Sequence, residues 1–161
     1  MSKGSYTFIL RCDRSDAITI GKLGQLRLRR GYYYYTGSAF GPGGVAARLR
    51  HHYRLSANPR WHLDYLRACC EPAGHWFTFD AARREHDWAA ALLALPGVSA
   101  PMPGFGASDC GCATHLAFSA APIPFELFAD ALRQRHPGHA PVLRGDISAI
   151  MPRHTQPNTA T

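Results

Sequence analysis

The chain lacks what several classes of protein require. Its longest apolar run, Trp88 to Leu95, is eight residues, whereas a membrane-spanning helix takes about 20. A transmembrane helix is excluded. No apolar leader opens the chain, since Met1-Ser2-Lys3-Gly4-Ser5 runs straight to Phe8-Ile9-Leu10, so a secreted protein is not expected. Cysteine is sparse and odd in number, five in all, with Cys69 and Cys70 adjacent and Cys110 and Cys112 one residue apart. Such pairs do not suit ordinary structural disulfides, and a reducing cytoplasm is the expected compartment. Lysine is nearly missing: only Lys3 and Lys22 accompany 16 arginines. Glutamate occurs only as Glu71, Glu85 and Glu126, and asparagine only as Asn58 and Asn158. The glycine-rich stretch Gly37 to Gly44 lacks a Gly-Lys-Ser/Thr ending, which excludes a nucleotide-binding P-loop.

What is present is a core and a basic surface. Of 161 residues, 46% are hydrophobic and 18% charged, enough apolar material for one folded domain and too much for a disordered chain. The net charge is +7, and its placement is uneven: residues 22–67 carry nine basic residues and one acid, Asp64. A basic stretch of this kind suits a polyanion such as nucleic acid, or a solvated basic face. Oligomeric state is not legible from composition.

The hydropathy pattern predicts an α+β domain with a small central, mostly antiparallel sheet flanked by helices. Ser5 to Cys12 reads as a strand, Leu26 and Leu28 alternate with arginines as a second, and Gly31 followed by Tyr32 to Tyr35 reads as a third. Connections too short for crossover helices make these an antiparallel meander. Val45 to Tyr53 reads as a helix whose glycine-rich approach leaves backbone N–H groups open to an anion. Trp61 to Cys69 reads as a short helix with Trp61, Tyr65 and Leu66 inward, and Cys69 and Cys70 as core thiols. Gly74 to Phe79 and His115 to Phe118 read as strands, Ala82 to Leu95 and Phe125 to Arg135 as helices, and Pro101 to Cys112 as a loop. The expected domain is 1–136, with a C-terminal extension over 137–161. Residues 151–161 are polar with two prolines and are expected to be disordered.

Several residues carry chemistry. Antiparallel pairing of the first and third strands brings Tyr6 and Tyr35 to one sheet edge. A phenol, with an ordinary pKa near ~10, acts as a base only beside a metal or cation; two packing tyrosines are the plain alternative. Arg48 and His52, four residues apart, share a helix face and suit phosphate neutralisation and proton transfer. Glu85 opens the long helix, where a carboxylate either suits the dipole or binds a hard cation, Mg²⁺ or Mn²⁺. Arg50, Arg54, Arg60 and Lys22 are candidate nucleic-acid contacts, on a face that is otherwise merely solvated. His62 either reaches the site or caps its helix. Cys110, Cys112 and His115, completed by His86 or Asp109, offer ligands for structural Zn²⁺; small buried thiols in a tight loop are the alternative.

The order of these residues resembles the GIY-YIG nuclease superfamily. Gly4-Ser5-Tyr6 stands for its first motif and Tyr35-Thr36-Gly37 for its second, both differing at the middle position. Gly31-x-Tyr33-x-Tyr35-Thr36-Gly37-Ser38-Ala39, Gly43-Gly44-Val45-Ala46-Ala47-Arg48, Trp61-His62-Leu63-Asp64-Tyr65-Leu66 and Ser108-Asp109-Cys110-Gly111-Cys112-x-x-His115-Leu116 resemble its Uri-type branch of small prokaryotic proteins. The likeness covers residues 4 to about 118. It implies a mixed sheet flanked by helices and phosphodiester hydrolysis leaving 3′-hydroxyl and 5′-phosphate ends. It implies roles too: Tyr6 as general base for the attacking water, Tyr35 as its helper, Arg48 as phosphate clamp, His52 beside them and Glu85 as metal ligand. The family's downstream asparagine has no counterpart, and only Asp109 or Ser108 stands near its place.

The expected function is therefore a metal-dependent DNA endonuclease in repair or in processing of single-stranded or branched DNA. RNA is not separated from DNA, and a lone small domain leaves room for a protein partner that confers specificity. Two other classes stay open: a non-catalytic nucleic-acid-binding module and a zinc-stabilised regulatory protein.

Overall fold

The computed structural model describes residues 2–107 and 114–150. It is an α+β domain built on a six-stranded sheet in the order β6-β7-β4-β1-β5-β8. At its centre β1 (Gly4–Cys12) pairs antiparallel with β4 (Gly31–Ala39) over nine residues, Tyr6 opposite Gly37 and Phe8 opposite Tyr35. On its other side β1 pairs with β5 (Glu71–Thr78). The outer strands are β6 (Val98–Ser99), β7 (Leu116–Ser119) and β8 (Leu143–Gly145). Every pairing in this sheet is antiparallel, so the expected antiparallel sheet stands and a mixed one is corrected.

Alternation along the strands builds two cores. Tyr6, Phe8, Leu10 and Cys12 of β1 and Tyr33 of β4 face one way. There they pack against α1 (Gly44–Tyr53) and α2 (His62–Arg67). Ile9, Tyr34 and Trp76 face the other way, against α3 (Glu85–Leu93) and α4 (Phe125–Arg135). Phe8, Tyr33, Trp88, Phe105 and Phe128 are fully buried, each worth on the order of 1.5–3 kcal/mol or more of transfer free energy.

Four local expectations are corrected. The first three strands do not form a meander. Among the described residues β2 (Ala17–Ile20) and β3 (Gly24–Arg27) pair only with each other. This hairpin leaves the sheet because folding over one face buries Ile20, Leu26 and Leu28 completely. In α2 the inward residues are Leu63, Asp64 and Leu66, while Trp61 is 37% exposed. The long helix starts at Glu85 rather than Ala82, because Asp80 Oδ1 accepts the Ala82 N–H at 2.9 Å and holds a turn ahead of it. The start of α1 is not an open anion site: Gly44 N–H donates to Gly41 O and Val45 N–H to Ser2 O.

Beyond Pro137, where periodicity fades, β8 extends the sheet and α5 (Ile147–Ile150) follows. The expected disordered tail, 151–161, lies outside the described residues. No helix among the described residues is long and apolar enough to cross a membrane.

Candidate active site

Tyr6, third residue of β1, faces α1 with its ring opposite Gly37 of β4. Gly37 is needed there, since a Cβ on it would lie 2.5 Å from the Tyr6 hydroxyl oxygen. The Tyr6 ring is buried, and its hydroxyl lies 2.7 Å from Nε2 of His52 in α1. In one tautomer the phenol donates to Nε2, and in the other Nε2–H donates to the phenolic oxygen. Nδ1 of His52 is buried with no hydrogen-bond partner among the described residues.

Electrostatics keep both partners neutral. Burial, then the neighbouring Tyr35, hold the Tyr6 phenol well above its usual value; Arg48 pulls it down and Glu85 pushes it up. Burial, then His51 and Arg48, hold His52 well below the usual histidine value. Tyr35 is pushed up to about 12, chiefly by burial, against the pull of Arg48. Its ring lies 6.4 Å from that of Tyr6.

These groups border a cleft of about 490 Å³. Tyr6, Tyr35, Arg48, Arg60, His62 and Glu85 line it, together with Arg83, His86 and His115. One turn of helix brings Arg48 and His52 to the same side of α1, and the Arg48 guanidinium sits 4.5 Å above the Trp61 ring. Asp64 sets the approach to α2, its Oδ2 accepting the Arg60 and Trp61 N–H groups at 2.9 and 3.0 Å. That turn aims Arg60, Trp61 and His62 at the cleft. His62 Nδ1 accepts the Gly106 N–H at 2.8 Å, which leaves the proton of the neutral ring on Nε2. Burial lowers the pKa of His62 and of His115.

The structure thus gathers Tyr6, Tyr35, Arg48, Arg60, His62 and Glu85 at one place, with His52 just beneath. It does not gather Lys22, Arg50 and Arg54, none of which lines this cleft. Lys22 lies in the turn between β2 and β3, and Arg54 follows the end of α1. Arg83, Trp61 and Asp64 were not legible as site residues. The Arg83-Arg84 pair just ahead of Glu85 was the available signal for the first. Arg83 rests its guanidinium 4.6 Å from the centre of the Phe40 ring, beyond the end of β4. No carboxylate pairs with Arg48, Arg60 or Arg83 among the described residues.

Among the described residues Glu85 is the one carboxylate residue lining the cleft, and its Oε1 lies 3.8 Å from His86 Nε2. Among the described residues no group of three or more His, Cys, Asp or Glu is gathered for a metal ion. A carboxylate opening on a polar cleft is a donor that fits a hard cation such as Mg²⁺ or Mn²⁺. His86 and His115 stand close, ring centres 5.6 Å apart, whereas Cys110, Cys112, Ser108 and Asp109 lie outside the described residues.

An antiparallel α+β domain with a basic cleft whose described lining includes tyrosine, arginine, histidine and Glu85 is the class that these features define. The chain belongs to the family described as a domain of unknown function, DUF123, whose model matches residues 5–136. That family is distinct from the GIY-YIG superfamily, so assignment to the latter and to its Uri-type branch is corrected. The resemblance rested on short motifs with altered middle positions, whereas the family match spans the domain. No curated protein and no solved structure matches the chain.

Proposed function

We propose that the protein is a metal-dependent endonuclease that hydrolyses phosphodiester bonds in DNA. The observation that carries this is the convergence of the Tyr6–His52 hydrogen bond, Arg48 and Glu85 on one cleft. Three arginines without carboxylate partners among the described residues, Arg48, Arg60 and Arg83, favour a substrate bearing successive phosphates. Arg48 clamps the scissile phosphate, its guanidinium steadied by the Trp61 ring.

Water attacks phosphorus as the P–O3′ bond breaks, and O3′ takes a proton from solvent, giving 3′-hydroxyl and 5′-phosphate ends. The attacking water's proton passes to the Tyr6 oxygen as the Tyr6 proton passes to His52 Nε2. This relay avoids a free phenolate, which burial disfavours. It also uses His52 in its neutral form, the form that burial favours. Arg48 opposes charge on His52, and a bound phosphate offsets that opposition. Glu85 is the residue that would hold Mg²⁺ or Mn²⁺, which supplies charge stabilisation at the phosphate oxygens. His62, with Nε2 protonated, is placed to donate to the substrate.

The test is cleavage of single-stranded, duplex and forked DNA by the full chain in Mg²⁺, Mn²⁺ or EDTA, beside Glu85→Gln. Metal-dependent cutting is expected, reduced about 100-fold or more by the substitution with DNA binding retained. Full-rate cutting by Glu85→Gln overturns the role of Glu85. Binding without cutting on every substrate replaces the enzyme with a binding module.

A further inference from the structure

The carboxylate of Asp80 joins three parts of the chain. Its Oδ1 accepts the Ala82 N–H at 2.9 Å, and its Oδ2 accepts Arg84 Nε at 3.1 Å and the Ala140 N–H at 2.9 Å. Arg84 in turn donates its N–H to Ser5 Oγ, next to Tyr6, at 3.1 Å, and a guanidinium N–H to Asp87 Oδ2 at 3.2 Å. The turn from Asp80 to Arg84 therefore delivers Arg83 and Glu85 to the cleft and is fastened at both ends.

The same carboxylate holds a strap that follows the family match, which stops at residue 136. Residues 139–145 cross from α3 to the sheet edge. Trp88 Nε1–H donates to His139 Nε2 at 2.8 Å, Thr78 Oγ1 donates to Pro141 O at 3.0 Å, and Leu143 to Gly145 pair with β5. The His139 side chain is 1% exposed and lies 3.9 Å from Asp80 Oδ2. Asp80 is itself buried, at 8% exposure. Asp80, Arg84, Trp88 and His139 are not among the residues that line the cleft.

We propose that Asp80 is a positioning residue: it clamps the C-terminal strap to the turn 80–84 and thereby sets Glu85 for its metal. The proposal rests on the metal-binding role assigned to Glu85 above. Groups that orient a metal ligand without touching the metal typically change affinity or activity 10- to 100-fold when altered. Asp80→Asn conserves shape but removes the charge and one acceptor: either way the amide turns, its NH₂ meets a donor, the Ala82 N–H on one side or Arg84 Nε and the Ala140 N–H on the other.

The experiment compares full-length wild type with Asp80→Asn by two readouts that need no cleavage: Mn²⁺ affinity from electron paramagnetic resonance, and amide hydrogen exchange. Mn²⁺ binding weaker by about tenfold or more is expected, with DNA affinity in EDTA unchanged. Exchange is expected to quicken together in 80–88 and 139–145. Unchanged Mn²⁺ affinity, or faster exchange in only one of the two segments, overturns the proposal. If Asp80→Asn fails to fold, Trp88→Phe removes the His139 bond while keeping a ring in the core, and the same joint change is expected. A wild type that binds Mn²⁺ but cuts nothing removes the proposed activity and leaves this test intact. A wild type that binds no Mn²⁺ overturns the metal role and this inference with it.

Discussion

At the scale of single residues, Tyr6 and His52 depend on one another. Each is buried, and the 2.7 Å bond joins the Tyr6 hydroxyl to Nε2 of His52. Tyr6→Phe removes that bond and keeps the ring in place. Single-turnover cleavage is then expected to fall by about 100-fold or more, the usual range for losing a positioned proton-transfer group. Among the described residues His52 would be left without a partner on either ring nitrogen, at a cost of about 1–3 kcal/mol, read from a urea midpoint. Cleavage within tenfold of wild type would remove Tyr6 from the proton path. The residue types at Tyr6, Tyr35, Arg48 and Glu85 were legible as chemistry from the sequence. Arg83 was not, because arginine is common throughout this chain and only the turn at Asp80 aims this one at the cleft.

At the scale of elements, the register of β1 against β4 decides whether the site exists. Tyr6 pairs with Gly37 and Phe8 with Tyr35, so a slip of one residue would send Tyr6 to the opposite face. Gly37→Ala tests this pairing without altering a reactive group, because the new Cβ would press on the Tyr6 hydroxyl. A loss of activity on the order of 100-fold is expected, the effect of a displacement of about 1 Å, with DNA binding retained. Gly41→Ala is the control: a Cβ there meets nothing within 4 Å, and kinetics should stay at the wild-type level. If both variants cut alike, the close approach at Gly37 has no part in the site. The strands β1 and β4 were legible because alternation and aromatic content are local properties. The departure of the β2–β3 hairpin was not, since it is settled by which face of the sheet has apolar area left to cover.

At the scale of the whole molecule, buried neutral histidines give stability a direction in pH. Burial lowers His75 to about 4, against a smaller upward pull from Asp146, and holds His52 well below the usual value. His75 Nδ1 lies 2.7 Å from the Tyr53 hydroxyl. Both folded values lie below the unfolded value of 6.5. The unfolded chain therefore takes up protons first as pH falls. Stability from these groups is full above about pH 6.5 and is lost on acidification, down to about 4 for His75. The slope is at most about 1.4 kcal/mol per pH unit for each histidine. Urea midpoints at pH 7.5, 6 and 5 should decline in that order. A level series would mean that these rings are charged or hydrated in the folded state.

Sequence by itself determined the properties that act over a few residues. Apolar alternation marked β1 and β4, and an apolar periodicity between Pro124 and Pro137 marked α4 from Phe125 to Arg135. The scarcity of acids between Lys22 and Arg67 marked that stretch as basic. Tertiary structure decided everything that joins distant residues. It buried His52 under Tyr6 and spent the first N–H groups of α1 on Ser2 and Gly41. It excluded Lys22, Arg50 and Arg54 from the cleft, and it ran the strap of 139–145 behind Glu85. The reason is physical. Local preference follows backbone and side-chain sterics, which each residue carries with it, whereas these contacts follow from the burial of apolar faces and the pairing of buried polar atoms, which only the folded chain can complete.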